Sequence, residues 1–334
     1  MPQPAQLMPV RETVKLTRLG FGAATQGGLF HSVPPEAAEA VFQGAWDAGI
    51  RYFDTAPWYG FGSSEQRLGE FLRGKRGYVI SSKVGRLLSP DAPVHGSQLD
   101  ANGQLVFQTP SQLNVVYDYS YDGTLRSIEA SLERMGLERI DIAFLHDPDV
   151  IGVTTSELMR GAGKALTDLR EQGLLSAIGA GMNQWQQPLE LAQTGAFDVF
   201  LLASRYTLLE QTALPLMQYC HMHQVAVVIG GVYNSGLLTK PSASARYDYA
   251  AVPPALLERA LALERVCLEF DVPLRAAALH FAAAHPTVAS VLVAARSVTQ
   301  LEDNVTMFQH PIPLALWASL REAGLIDPTT PEVL

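Results

Sequence analysis

Cysteine is scarce: the 334-residue chain has two, Cys220 and Cys267. Neither stands in a Cys-x-x-Cys pair, and two thiols cannot build a disulfide framework or a four-thiolate zinc site. Both fall within helical patterns, where a lone cysteine serves as a small core or surface hydrophobe. Basic charge is in deficit too, with 24 Lys and Arg against 33 Asp and Glu and a formal net charge of −9. Counterion release needs a basic surface, so no nucleic-acid partner is expected. An acidic surface gives anions no general steering either, so any anion selectivity must be local. Long apolar runs are missing: the longest small-apolar stretch, residues 276–284, is interrupted by His280 and is far short of a membrane span. Residues 1–17 carry prolines and charges without an apolar core, so no signal peptide and no membrane contact are expected, and the chain reads as cytoplasmic. What is abundant is core material, at 48% hydrophobic residues, which excludes a disordered chain.

Eight β-branched or apolar runs alternate with helical stretches, at residues 18–22, 52–54, 78–82, 140–146, 177–181, 199–203, 226–229 and 290–293. Several, such as Val225-Ala226-Val227-Val228-Ile229, are almost continuously apolar, as strands buried on both faces of a parallel sheet are. The helices have clear punctuation. Pro34 and Pro35 precede Glu36, apolar residues recur at Ala38, Val41, Phe42, Ala45 and Ala48, and Gly49 follows. Leu125, Ile128, Leu132 and Met135 repeat the spacing ahead of Gly136. Eight β-α repeats favour a closed (β/α)₈ TIM barrel over an open doubly wound sheet. No interdomain linker is visible, so residues 1–334 are expected to form one domain. Two irregular stretches, 86–117 and 230–254, each follow a strand and so belong on the C-terminal face, where barrel sites are built.

Four polar residues stand at or just past strand ends: Asp54, Tyr59, Lys83 and His146. A tyrosine has an ordinary pKa of about 10 and is a poor acid–base catalyst near neutrality. An ammonium such as Lys83 favours its phenolate, a carboxylate such as Asp54 holds that ammonium charged, and His146 can donate to a substrate oxygen. Taken singly, these residues allow other readings. Asp54 with Lys83 fits a structural ion pair, Tyr59 fits a loop aromatic over the barrel mouth, and His146 beside Asp147 and Asp149 fits a cap or a metal ligand. No second histidine has suitable ligand spacing, since His221 and His223 lie two apart near a helix end; no metal is expected.

Longer segments carry a resemblance. Leu19-Gly20-Phe21-Gly22, Gly49-Ile50-Arg51-Tyr52-Phe53-Asp54-Thr55-Ala56, Tyr59-Gly60, Ser64-Glu65, Leu68-Gly69 and Ser82-Lys83 resemble the aldo-keto reductase superfamily. So do Ser127 to Leu132, Leu137 to Asp141, Leu145-His146, Gly179 to Asn183 and Arg296-Ser297 through Asn304. The resemblance implies the barrel, a nicotinamide cofactor, and Asp54, Tyr59, Lys83 and His146 as the catalytic tetrad. It places the cofactor on Gly22, Asn183, Ser204, Gly230, Tyr233, Gly236, Leu237, Arg296, Gln300, Asp303 and Asn304. The chain departs from the family pattern in two places. Ala203 stands where a glutamine is usual, and Gly230 stands where an aromatic usually stacks on the nicotinamide.

NADP-preferring relatives carry two cations near the last strand, where this chain has Arg296 but then Gln300. NAD is therefore the expected cofactor, with NADP the alternative. Leu145-His146-Asp147-Pro148-Asp149, residues 117–123 and residues 230–236 resemble the branch of D-threo-aldose 1-dehydrogenase, L-fucose dehydrogenase and pyridoxal 4-dehydrogenase. That implies oxidation of a small sugar of L-fucose, D-arabinose or L-galactose type at C1, with Trp58, Asp147, Asp149 and Trp185 as candidate substrate contacts. Trp185 equally fits a core residue at a helix start. Oxidation of pyridoxal, general NADPH-dependent carbonyl reduction and a non-catalytic nucleotide-binding subunit are the other readings. The small-molecule partner aside, a monomer or a homodimer is expected.

Overall fold

The computed structural model describes residues 2–100, 102–248 and 250–331. Eight strands form one closed parallel ring: β1 (Leu19–Gly22), β2 (Tyr52–Asp54), β3 (Val79–Val84), β4 (Ile142–His146), β5 (Ala177–Met182), β6 (Val199–Ala203), β7 (Ala226–Gly230) and β8 (Val288–Val293). They pair in chain order, and β8 closes on β1 with Val291 opposite Leu19. The near-continuous apolar character of these strands has a direct cause, since each face meets a different core. On β4, Ile142 and Phe144 point into the barrel, while Ala143 and Leu145 belong to the layer beneath the helices. On β6, Val199 and Leu201 point inward, and Phe200 and Leu202 outward.

All eight anticipated strands are present, with shifted ends. β3 begins at Val79 and runs on to Val84, so Lys83 lies within the strand. β4 begins at Ile142 rather than 140, although the Asp141 backbone already bonds to both neighbouring strands, its N–H donating to the Ile80 carbonyl at 3.0 Å and its carbonyl accepting the Ala177 N–H at 3.1 Å. The Asp141 carboxylate accepts the Ile80 N–H at 2.8 Å and pairs with Arg139 at 2.9 Å. The helix signals hold as well. Pro34 is extended ahead of the helix Pro35–Asp47, and Gly49 leaves it at φ 84°. Ser120 accepts the Gly123 N–H to start the helix Tyr121–Met135, and Gly136 ends it in the left-handed region at φ 61°.

One element was not anticipated. An antiparallel hairpin, Leu7–Arg11 with Val14–Thr17, lies at the N-terminal end of the barrel. Val10, Val14 and Leu16 are buried there in one cluster with Tyr52, Ile142, Ala177, Val199 and Val228, so the hairpin plugs the barrel floor.

The two long loops sit at the opposite end. Residues 86–117 begin and end as a ladder, Arg86–Ser89 against Asn114–Tyr117. Between them Val106 and Phe107 pack with Phe61, Trp58 and Tyr59. Residues 230–254 form a run of turns and a two-residue ladder, and Arg205 pins them by pairing with Asp248. Cys220 and Cys267 are fully buried core residues, and burial pushes both thiols up to about 12, which makes them poor nucleophiles. Among the described residues no helix is long and apolar enough to cross a membrane.

Candidate active site

The strand register gathers the tetrad. Asp54 is opposite Ser81 on β3, and Lys83 is opposite Phe144 on β4, two residues before His146. The Lys83 Nζ lies 2.6 Å from Asp54 Oδ2 and donates to the Thr55 carbonyl at 2.9 Å. Ser81 Oγ donates to the other Asp54 oxygen at 2.7 Å and meets the Tyr52 hydroxyl at 3.1 Å. Tyr59 leaves the turn after β2 so that its ring centroid is 4.5 Å from the Lys83 Nζ. The His146 ring stands edge-on to Tyr59, 5.7 Å away at 89°.

Other motif residues hold this arrangement from behind. Glu65, fully buried, accepts Ser82 Oγ at 2.7 Å and Arg134 Nε at 2.6 Å, tying β3 to two helices. Ser64 Oγ meets Thr55 at 2.9 Å and donates to the Ala23 carbonyl at 2.8 Å. At Gly69 a Cβ would come within 2.0 Å of the Met135 carbonyl oxygen, so only glycine lets these helices approach.

Electrostatics fix the protonation states. Burial opposes the charge on Lys83, but Asp54 and Tyr59 outweigh it and raise the lysine above its ordinary value. Burial likewise raises Asp54, against the pull of Lys83. At Tyr59 a second effect joins the one expected from the sequence. Lys83 does favour its phenolate, but burial acts more strongly and the net direction is upward. The resting group is a phenol, a proton donor held beside a cation. Burial, with Arg86 and Lys83 adding to it, holds His146 well below its ordinary value, so the imidazole is neutral near pH 7. Its Nδ1 is buried without a hydrogen-bond partner among the described residues.

Behind His146 lies a second buried ion pair. Arg86 pairs with Asp147 at 2.8 Å, its Nε donates to the His146 carbonyl at 3.3 Å, and the Tyr119 hydroxyl donates to the same carbonyl. Its guanidinium lies 4.5 Å from the Trp58 ring. Asp147 takes a left-handed backbone, φ 45° and ψ 58°, a strained conformation of the kind concentrated at functional sites. Asp149 is half-buried, and among the described residues its Oδ1 has no hydrogen-bond partner, nor has Trp58 Nε1. Phe107, from the long loop, packs edge-on to Trp58 at 5.2 Å and over Tyr59 at 5.8 Å. Trp185 begins the helix Gln186–Gln193 and packs on the main core, which supports its helix-start reading over a sugar contact.

The anticipated cofactor residues line the remaining strand ends. Gly22 ends β1, and a Cβ there would have no neighbour closer than 3.9 Å. Asn183 follows β5 and is exposed. Ser204 follows β6 at φ 66°, gives its N–H to Gly230 at 3.0 Å and accepts from Asn234 Nδ2 at 3.0 Å. At Gly230 a Cβ would make only ordinary contacts, the nearest at 3.5 Å, so packing does not demand glycine there. Asn234, Ser235 and Gly236 are successively left-handed, ahead of buried Leu237.

Four of these residues are already engaged within the protein. The Tyr233 hydroxyl donates to Asn304 Oδ1 at 2.9 Å, and Asn304 Nδ2 donates to the Ala294 carbonyl at 3.1 Å. Asp303 pairs with Arg275. Gln300 turns back to accept the Arg296 N–H at 2.8 Å. Arg296 is exposed, and its guanidinium has no ion-pair partner among the described residues.

Arg86 and Phe107 come from the 86–117 stretch, whose residues are candidate sugar contacts on the sequence alone, without either being singled out; Ser81 and Tyr119 were missed. One signal was available in Lys83-Val84-Gly85-Arg86. Gly85 has φ 97°, and a Cβ on it would meet the Tyr119 ring at 2.0 Å. Among the described residues no cluster of three metal-ligating side chains occurs; His223 stacks on Tyr219, and His221 faces His285.

Comparison with known proteins agrees with this geometry. The sequence model of the Aldo/keto reductase family matches residues 18–324. Pyridoxal 4-dehydrogenase of Microbacterium luteolum is 40% identical over 341 residues, covering 95% of this chain and 96% of that protein. D-threo-aldose 1-dehydrogenase of a Pseudomonas species is 40% identical over 313 residues, covering 92% and 94%. Among solved structures, an aldo-keto reductase of Bacillus halodurans in its holo form superposes with a TM-score of 0.75 at 22% identity, covering 98% of both chains. Glycerol dehydrogenase of Gluconobacter oxydans gives 0.73 at 20% identity, covering 99% of this chain and 100% of that one. At such identities these two structures speak for the fold alone.

Proposed function

The chain belongs to the aldo/keto reductase family, and from that premise we propose that it oxidises a cyclic aldose of L-fucose, D-arabinose or L-galactose type at C1 to the lactone, with NAD preferred over NADP. One observation carries the sugar reading. Among the described residues three buried polar atoms lack hydrogen-bond partners, Trp58 Nε1, His146 Nδ1 and Asp149 Oδ1; His146 ends β4, Asp149 lies just past it, and the Trp58 ring centroid is 6.0 Å from that of His146. Buried polar atoms rarely stay unpaired, and a polyhydroxylated ligand supplies both donors and acceptors.

When bound, an oxidised nicotinamide supplies the acceptor for the hydride that leaves C1. The protein moves the proton. As the C1–H pair departs, the anomeric O–H bond breaks, its electrons form the lactone carbonyl, and Tyr59 takes the proton. Lys83, kept charged by Asp54, stabilises the phenolate form that Tyr59 needs for this step. Neutral His146 hydrogen-bonds the same oxygen and sets its direction. Asn183 and Ser204 would hold the nicotinamide end of the cofactor and residues 230–237 its phosphates. Arg296 offers an unpaired guanidinium for the adenosine end among the described residues, whereas Arg275 is held by Asp303 and Gln300 is turned back on the backbone; this supports the preference for NAD.

A second reading is the oxidation of pyridoxal, favoured by the aromatic wall of Trp58, Tyr59 and Phe107. Pyridoxal closes its aldehyde onto a neighbouring hydroxymethyl group, so the bond changes would be the same. The test is a rate panel of L-fucose, D-arabinose, L-galactose, L-xylose and pyridoxal with NAD and NADP, with methyl glycosides of the sugars as controls. Oxidation of a free sugar, with its methyl glycoside inert, is the expected result. Oxidation of pyridoxal alone replaces it with the second reading. Oxidation of neither overturns both.

A further inference from the structure

Arg86 lies outside the tetrad, yet it is buried at 2% exposure, and apart from the Tyr117 ring, 5.5 Å from its guanidinium, its side-chain contacts converge on His146. It grips the carbonyl of His146 through Nε, and the carboxylate of the next residue, Asp147, through a terminal nitrogen. That carboxylate oxygen is 3.6 Å from His146 Nε2. The guanidinium face covers Trp58, whose ring centroid is 6.0 Å from that of His146. A full ion pair this deep is costly to assemble and stabilises little beyond what apolar packing would give, so its presence asks for a purpose beyond stability.

We propose that Arg86 is a positioning residue: it neutralises Asp147 and clamps the His146 carbonyl, so that His146 meets the substrate oxygen uncharged and in one orientation. The inference rests on the dehydrogenase reading for its use in turnover, but its physical content does not. The charged and titratable groups around His146 are Asp54 on β2, Tyr59 after it, Lys83 on β3, Arg86, Tyr117 and Tyr119 on the loop that follows, and Asp147 and Asp149 on its own loop. Of the carboxylates, Asp147 is bonded directly to the residue that carries the imidazole. With Arg86 removed, that buried carboxylate would favour an imidazolium beside it. A lysine would keep the charge but could not span both partners, because an ammonium is a point donor and a guanidinium is a fork.

The experiment follows the His146 ring by NMR titration in the full-length protein, with the signal identified by its loss in His146→Asn, alongside steady-state kinetics. In the wild type the ring is expected to stay neutral from pH 8 down through the ordinary histidine range and beyond it. In Arg86→Met it is expected to become charged within that range, and kcat is expected to fall about 10²-fold, as for a misplaced catalytic group, with KM for NAD within about twofold. Arg86→Met/Asp147→Asn, which removes the pair together, is expected to restore the neutral ring. Arg86→Lys is expected to keep the ring neutral while recovering only part of kcat. An unchanged His146 titration in Arg86→Met, with only a lowered Tm, would overturn the proposal and leave Arg86 a packing residue. Should Arg86→Met fail to fold, the paired variant and Arg86→Lys decide: a charged ring in both overturns it. The titration needs no substrate, so an enzyme inert to the whole panel would refute the dehydrogenase reading without touching this result.

Discussion

The two ends of the barrel are built on opposite principles. At the N-terminal end the hairpin seats Val10, Val14 and Leu16 on the inward side chains of the strands. That end is apolar and closed. At the C-terminal end the barrel strands carry Asp54, Lys83 and His146 at or next to their last residues, backed by Arg86 and Asp147, all buried. There Asp147, Ser204, Asn234 and Ser235 adopt left-handed backbone conformations that non-glycine residues avoid. Stability is concentrated at one end, and strain and desolvated charge at the other. The barrel wall between them lets the second be tolerated.

That contrast can be broken by substitutions at either end. The largest effect is expected at the top. Tyr59→Phe removes the hydroxyl proposed to take the proton, and turnover should fall roughly 10²–10⁴-fold, the usual worth of acid–base help, while nucleotide binding, followed by fluorescence titration, should hold. Near-normal turnover would remove Tyr59 from the mechanism. Because burial raises Tyr59 above its ordinary value, wild-type oxidation should climb as pH rises from neutral into the alkaline range, and carbonyl reduction should fall. A pH-independent oxidation rate would contradict that assignment.

At the floor, Leu16 is fully buried. Leu16→Ala should cost about 2–5 kcal/mol in denaturant unfolding, as large-to-small core changes do, and leave kcat per folded molecule unchanged. A loss of kcat in the folded protein would mean that the two ends are coupled. Acid should loosen the molecule without reference to chemistry. Burial lowers His280 and His285 to about 4 from an ordinary 6.5. Between those values the unfolded chain binds more protons, so their contribution is present in full above pH 6.5 and drains away as pH falls toward 4. The loss is at most about 3 kcal/mol for each histidine, and denaturant midpoints at pH 7 and pH 4.5 measure it. The smallest effect belongs to the cofactor rim. Gln300→Arg should raise the NADP-to-NAD ratio of kcat/KM by about tenfold, the worth of one charge-assisted hydrogen bond. An unchanged ratio would place residue 300 away from the 2′-phosphate.

The strands and the tetrad were legible because each is written locally, as an apolar run ending in a charged or polar residue. What escaped the sequence depends on distant partners or on burial. The hairpin strand Val14–Thr17 has four residues, too few for a pattern, and its meaning lies in the barrel floor it meets. Arg86 looks like an ordinary loop charge until Asp147, 61 positions later, closes on it. Proximity of Lys83 to Tyr59 could be inferred from strand order, but the enclosure by Trp58, Phe107 and His146 that reverses the direction of the tyrosine's shift could not. Asp303 fits an adenine partner in the sequence and an Arg275 partner in the fold, because helix packing brings Arg275 to it.

The central claim is that a hydride leaves the anomeric carbon of a sugar at a site whose proton goes to Tyr59. Turnover of L-fucose carrying deuterium at C1 tests it most directly, with the reduced cofactor and the product separated and weighed by mass spectrometry. One deuterium on the reduced nicotinamide and none in a lactone product is the result expected. Deuterium retained in the sugar product, or a cofactor reduced without label, would contradict it.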